Sequence, residues 1–310
     1  LCPRAPLAYN NLMPAVATAT KQWTVKELLD TTTNFLKKRA VDSPRLSAEM
    51  LIGHVLGLER IGLYTNFNRI PSQAERDELR SLVRRAGDHE PVQYLVGKAG
   101  FFSLEFEVTP DVLIPRPDTE TLVDAPLRWL KADGRKALPL RVLDVCTGSG
   151  CVGLALAKQL PAASVIATDL SAAAAKVATE NAELLKLDDR VEVRVGDLFE
   201  PVSDEAKFDV IVSNPPYIPS KQIVLLDSNV RDYEPMTALD GGDDGLDFHR
   251  RLLAEAAKHL VDDGRLYLEM QYDQGPALIG LAKQHDWQSR VLPDLAGKDR
   301  VLEAWRDVAG

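Results

Sequence analysis

Cysteine is nearly absent from this chain: three residues in 310, two of them close together at Cys146 and Cys151. Three thiols build no disulfide framework, which excludes a small stapled secreted scaffold and suits a reducing compartment, so a cytoplasmic protein is expected. No apolar run reaches bilayer-spanning length, and residues 1–20 hold no apolar core of the signal-peptide kind, so no membrane association is expected. An excess of positive charge is also missing. Lys and Arg number 37 against 46 Asp and Glu, a net charge of −9. Such a chain repels a phosphate backbone overall, and direct nucleic-acid binding is not expected. Histidines are few, and His54 and His89 stand alone as surface or capping residues, so no metal site is expected. There are no internal repeats and no low-complexity segment beyond Ala172–Ala175, a run of good helix formers.

What is present is ordinary globular material, 45% hydrophobic and 27% charged, enough for one large α/β domain and a smaller one. A non-periodic tail is expected over residues 1–22, with the native start at Met13. Residues 23–90 read as a small helical bundle. Thr24 with Glu27 forms a capping-box signal, Asp42-Ser43-Pro44 marks a second start, and a third helix follows Pro71-Ser72. No cluster of chemical residues lies there, which suggests a substrate-recognition module. Residues 91–110 read as a hairpin linker through Phe101–Val108, and Asp118 or Thr119 is placed to cap a helix through Leu122 and Leu130. Residues 111–310 form the catalytic domain, in which strand and helix alternate from Leu140, the signature of a doubly wound parallel sheet. Strands are expected at Arg141–Val145, Ser164–Thr168, Val191–Val195, Phe208–Val212, Arg265–Met270, Trp287–Val291 and Arg300–Trp305, the last of them antiparallel.

The residues that carry chemistry sit at the ends of those strands. Asp144-Val145-Cys146-Thr147-Gly148-Ser149-Gly150 follows the first, and with Gly153 its glycines match G-x-G-x-x-G, the dinucleotide fingerprint. A nicotinamide oxidoreductase is therefore one candidate. Asp144 at the strand end argues for another, because a carboxylate there accepts from an ammonium group such as that of S-adenosylmethionine. Asp169, about twenty residues past the glycines, suits ribose hydroxyls in either case. Asp197 and Leu198 end the third strand, where they would meet an adenine amino group and its ring. After the fourth strand comes Asn214-Pro215-Pro216-Tyr217. The prolines stiffen the loop and fix its carbonyls, so Asn214 and Pro215 offer acceptors to a planar nitrogen with two N–H groups, while Pro216 and Tyr217 complete the cradle. A proline-stiffened turn is the plain alternative.

These features together resemble class I S-adenosylmethionine-dependent methyltransferases acting on nitrogen, and more narrowly the release factor glutamine methyltransferases, the HemK/PrmC family. Further blocks carry the likeness: Leu113-Ile114-Pro115-Arg116-Pro117-Asp118-Thr119-Glu120, Val230 to Pro235 running on to Gly245-Leu246, and Asp294 to Arg300. The resemblance spans roughly residues 25–305. It implies a Rossmann-like seven-stranded methyltransferase sheet with a small all-α N-terminal domain, and N5-methylation of the glutamine in the Gly-Gly-Gln loop of class I release factors; separately, a monomer is expected. Under it Asn214, Pro215 and Tyr217 are catalytic. The cofactor lies on Asp144, Cys146, Thr147, Gly148, Ser149, Gly150, Asp169, Asp197, Leu198 and Asn214, and Arg116 and Glu120 either shape the target pocket or serve as ion-pair partners. Departures are Cys146 in place of a usual Gly, Leu198 in place of a frequent aromatic, and Met270-Gln271-Tyr272. A ribosomal-protein glutamine methyltransferase and an adenine-N6 methyltransferase of DNA or RNA share the Asn-Pro-Pro-Tyr run and remain alternatives.

Overall fold

A computed structural model describes residues 22–306. The expected tail and its start at Met13 lie outside the described residues, Gln22 excepted. The chain divides into two compact units between Val83 and Arg84.

The first unit is helical: α1 (Val25–Lys38), α2 (Pro44–Leu56), α3 (Arg60–Thr65) and most of α4 (Gln73–Gly87). The capping box forms as its residues predict. Glu27 N–H donates to Thr24 Oγ1 at 3.2 Å and Thr24 N–H to Glu27 Oε2 at 3.0 Å. Ser72 and Glu75 repeat the device at the start of α4. Val25, Leu29 and Leu36 of α1 are fully buried, as are Leu51 and Ile52 of α2.

The second unit opens with the rest of α4 and a short α5 (Val92–Val96), then the hairpin β1 (Lys98–Phe101) and β2 (Leu104–Glu107). Arg84–Glu90, grouped with the bundle in the sequence, thus fall in this unit. The hairpin turn is Phe102-Ser103, both at positive φ (49° and 62°), a geometry that ordinarily selects Asn-Gly. There follow α6 (Glu120–Ala132), β3 (Arg141–Val145), α7 (Cys151–Gln159), β4 (Ser164–Asp169), α8 (Ala172–Leu184), β5 (Val191–Val195) and β6 (Phe208–Ser213). The chain ends with α9 (Ser228–Arg231), α10 (Asp247–Glu255), β7 (Leu260–Glu269), α11 (Gly275–Gln284), β8 (Gln288–Pro293) and β9 (Asp299–Trp305). Seven strands form one sheet in the order β5-β4-β3-β6-β7-β9-β8. The first five are parallel, and β9 runs antiparallel to β7 and β8.

Alternation along the strands divides the core between the two faces of the sheet. Val142, Val210 and Val212 pack with α6 and α7, whereas Leu143, Ile211, Leu266 and Leu268 pack with α10 and α11. Both faces are covered, which is why these strands read as near-continuous apolar runs. The strand order reverses at β3, between β4 and β6. In such sheets the crevice beyond the carboxyl ends at that point receives the ligand.

One helix start departs from expectation. Pro117–Thr119 forms a 3-10 turn leading into α6, so Thr119 is already helical (φ −63°, ψ −19°) and makes no capping bond. Its hydroxyl turns to Glu269 instead, at 3.2 Å, and Asp118 pairs with Arg300.

Candidate active site

A cavity of about 350 Å³ opens at the carboxyl ends of β3, β4 and β6. Parallel register sets its floor: Val145 lies beside Thr168 on one side and Ser213 on the other. The residues following these three strands therefore emerge together. Of the residues singled out in the sequence, Asp144, Cys146, Thr147, Gly148, Ser149, Asp169, Asn214, Pro216 and Arg116 line the cavity.

The loop after β3 is built around two carboxylates. Asp144 is buried, and its Oδ2 accepts the Thr147 hydroxyl at 2.6 Å and the Gly153 N–H at 2.9 Å. A Cβ on Gly153 would lie 2.9 Å from that oxygen, so only glycine lets α7 approach the strand this closely. Asp169 accepts the Gly148 N–H on one oxygen and the Ser171 N–H on the other, at 2.8 and 2.9 Å. Burial pushes Asp144 up to about 7 against the pull of the Thr147 and Gly153 bonds. Burial raises Asp169 as well, opposed by its two backbone donors. Neither acid has an arginine or lysine partner among the described residues. A cationic ligand would supply the missing charge.

The Asn-Pro-Pro-Tyr loop is clamped from behind. Gln274 Nε2 donates to the Tyr217 carbonyl at 2.9 Å, and Ile218 exchanges backbone bonds with Leu239 and Gly241. Gly245, at φ +77°, lies so close that a Cβ there would fall 2.3 Å from the Tyr217 carbonyl oxygen. Thr237 and Ala238 carry this second segment on to the cavity wall. Arg116 is paired with buried Glu234, so the two sequence blocks that hold them meet at the site. Glu234 is raised by burial, with the Arg116 charge pulling it back.

Six of the expected residues do not line the cavity. Gly150 is the positive-φ N-cap of α7, where a Cβ would press within 2.9 Å of Leu154. Asp197 is half-buried and paired with Arg251 at 2.6 Å. Leu198 is buried in the core beneath the sheet edge. Glu120 accepts the Phe102 N–H at 2.8 Å and thereby ties down the hairpin turn. Pro215 is buried, and Tyr217 turns its hydroxyl to Glu269 at 3.2 Å. Leu170, Thr119, Thr237, Ala238 and Phe248 line the cavity without having been singled out for it. Among these, Leu170 and Thr119 directly follow flagged acids, a positional signal that was available.

A family model described as the PrmC N-terminal domain matches residues 27–97, and one described as the methyltransferase small domain matches residues 127–226. The release factor glutamine methyltransferase of Geobacter sulfurreducens is 44% identical over 281 residues, covering 90% of this chain and 96% of that protein. That of Rhodopirellula baltica is 41% identical over 286 residues, covering 90% and 95%. The chain belongs to the release factor glutamine methyltransferase family. Among solved structures, the catalytic domain of hMettl16 in complex with MAT2A 3′UTR hairpin 6 aligns over 77% of this chain and 84% of its own. Its TM-score is 0.51 at 17% identity, a likeness of fold alone.

Membership in the release factor glutamine methyltransferase family separates the glycine loop from the dinucleotide fingerprint it formally matches. The chain is a methyltransferase with S-adenosylmethionine as methyl donor, and two unpaired acids beside a glycine loop fit that cation-bearing group. The departures from the family pattern have a local explanation here. Cys146 and Leu198 both hold positive φ, 60° and 48°, where a side chain costs about 1 kcal/mol relative to glycine. Both side chains pack into the core on the α10 face, which offsets that cost. Burial drives the Cys146 thiol well above its ordinary range and Cys151 up to about 12, so neither is a nucleophile at neutral pH.

Proposed function

We propose that this enzyme methylates N5 of the glutamine in the Gly-Gly-Gln loop of class I peptide-chain release factors. The observation that carries the proposal is that Asn214 opens on the same cavity as Asp144 and Asp169. Methyl donor and acceptor nitrogen are thereby brought to one space at the switch point of the sheet.

An amide nitrogen is a poor nucleophile because its lone pair is delocalised into the carbonyl. When bound, S-adenosylmethionine supplies an electrophilic methyl group on a sulfonium. The chain's own part is to bind and orient. Asp169 would hold the ribose hydroxyls, and Asp144 supports the loop and would offer negative charge to the ammonium end. Asn214 Oδ1, which opens on the cavity, would accept one N–H of the target amide and so fix its nitrogen. It would act as a preorganised acceptor that stabilises positive charge growing on the target nitrogen as it is methylated. The surplus proton would pass to solvent after transfer, when the nitrogen is far more acidic. Arg116, fixed by Glu234, shapes the pocket mouth. The helical N-terminal unit recognises the protein substrate, and a monomer acting in the cytoplasm completes the proposal.

The test is transfer of labelled methyl from S-adenosylmethionine to a purified release factor, with ribosomal protein and nucleic acid as parallel acceptors. Label on the Gly-Gly-Gln glutamine alone is the expected result. Preferential labelling of either other acceptor overturns the substrate assignment.

A further inference from the structure

Behind the cradle lies a buried acid with no place in the chemistry above. Glu269 ends β7 and is 1% exposed. Its Oε1 accepts two hydroxyls, Thr119 at 3.2 Å and Tyr217 at 3.2 Å, while Oε2 is buried without a partner. The two donors come from separate parts of the chain. Thr119 stands in the turn before α6 and lines the cavity, and Tyr217 is the last residue of Asn-Pro-Pro-Tyr, directly after cavity-lining Pro216. Glu269 is thus a strut between the two.

We propose that Glu269 is a positioning residue for methyl transfer: ionised, it holds the Tyr217 and Thr119 hydroxyls and so fixes the cradle, and on gaining a proton it loosens both. The inference rests on the reading of Asn-Pro-Pro-Tyr as the target cradle. An ionised carboxylate makes charge-assisted hydrogen bonds about twice as strong as neutral ones. Protonation at Oε1 sets a third hydrogen against the two hydroxyls, and protonation at Oε2 leaves a buried O–H with no acceptor.

The surroundings put this change near neutral pH. Burial pushes Glu269 up to about 7, opposed by the Thr119 bond, the Arg300 charge and the Tyr217 bond, with Asp118 acting in the same sense as burial. Arg300 is itself shared with Asp118 and Asp294, which limits its pull. From α7, Cys151 faces Glu269 as a neutral thiol. From α10, His249 meets Glu269 at its main-chain carbonyl, at 2.8 Å, and burial holds its imidazole neutral, down at about 4. The sign follows: the ionised, cradle-holding form prevails above neutrality, so turnover rises with pH through that region and falls below it.

The experiment measures kcat for methylation of a purified release factor by the full-length enzyme from about pH 5.5 to 8.5. Cofactor is kept saturating, so that titration of Asp144 enters KM and not kcat. Wild type is expected to lose kcat on the acid side. Glu269→Gln, uncharged at every pH, is expected to be flat across the range and roughly 10- to 100-fold slower than wild type at the alkaline end. Its KM for release factor and its cofactor affinity are expected to be unchanged, and Glu269→Asp restores part of the acid limb. Should Glu269→Gln not fold, the pair Tyr217→Phe with Thr119→Val removes both bonds and leaves the carboxyl, and it is expected to lose the limb as well. A wild-type kcat at the alkaline end, or a wild-type acid limb in Glu269→Gln or in the pair, overturns the proposal. Asn214→Ala in the same assay separates the two claims. If it is inactive while Glu269→Gln behaves as wild type, only the role of Glu269 falls; if it is fully active, the cradle reading falls first.

Discussion

Asp169, proposed to bind the cofactor's ribose, is held in place before any ligand arrives. Each of its carboxylate oxygens is fixed by a backbone N–H, from Gly148 and from Ser171, so the side chain reaches the cavity in one orientation. Asp169→Ala removes the ribose acceptor and also strands two backbone donors. It should therefore weaken S-adenosylmethionine binding by about 1–3 kcal/mol, the scale of a stranded polar group, and lower the melting temperature as well. Calorimetry of cofactor binding checks the first effect, and unchanged affinity would remove Asp169 from the cofactor site. At this scale the sequence was legible where a residue type admits few alternatives. Asp144 and Asp169 at strand ends, and Asn214 ahead of two prolines, all line one cavity, whereas Asp197 after β5 does not. Partners across long separations were not legible. Nothing near Glu120 announces that it will accept from Phe102, and nothing near Asp197 announces Arg251.

Between residues and the fold stand the connecting segments, and here the site is assembled from pieces far apart in sequence. The cradle keeps its shape because the segment running from Thr237 to Gly245 lies against its back, with Gln274 bridging Tyr217 and Gly245 through their carbonyls. Gly245→Ala places a Cβ 2.3 Å from the Tyr217 carbonyl oxygen at a backbone φ of +77°. The loop must shift, and turnover should fall roughly 10- to 100-fold while cofactor affinity persists, since a displacement near 1 Å suffices for such a loss. Steady-state kinetics with parallel calorimetry reads both, and a normal kcat would show that the clamp is not needed. The strands were readable because burial on both faces leaves long apolar runs. The β1–β2 turn was harder to place because Phe102-Ser103 adopts a geometry that sequence signals reserve for Asn and Gly. Thr119 does stand at the N-cap of α6, but a 3-10 turn makes it helical and its side chain gives no capping bond.

Over the whole molecule, the proposed function gives chemistry and recognition to different units. Both core clusters of the sheet lie within residues 84–310, so the catalytic unit carries the packing that forms the cavity. Deleting the helical unit through Val83 should leave S-adenosylmethionine binding measurable and abolish methylation of an intact release factor. A truncated enzyme working on the whole factor at the wild-type rate would refute the recognition role. The central claim, however, is that one cavity presents the methyl donor to an amide held by Asn214. Methylation of a purified release factor by Asn214→Ala, with folding and cofactor affinity measured on the same sample, decides it. The expected result is a folded protein with unaltered S-adenosylmethionine affinity and a kcat lower by roughly two orders of magnitude or more, comparable to removing one preorganised hydrogen-bonding partner from an active site; a variant that methylates the factor at the wild-type rate would reduce the cradle to a stiff turn and contradict the mechanism.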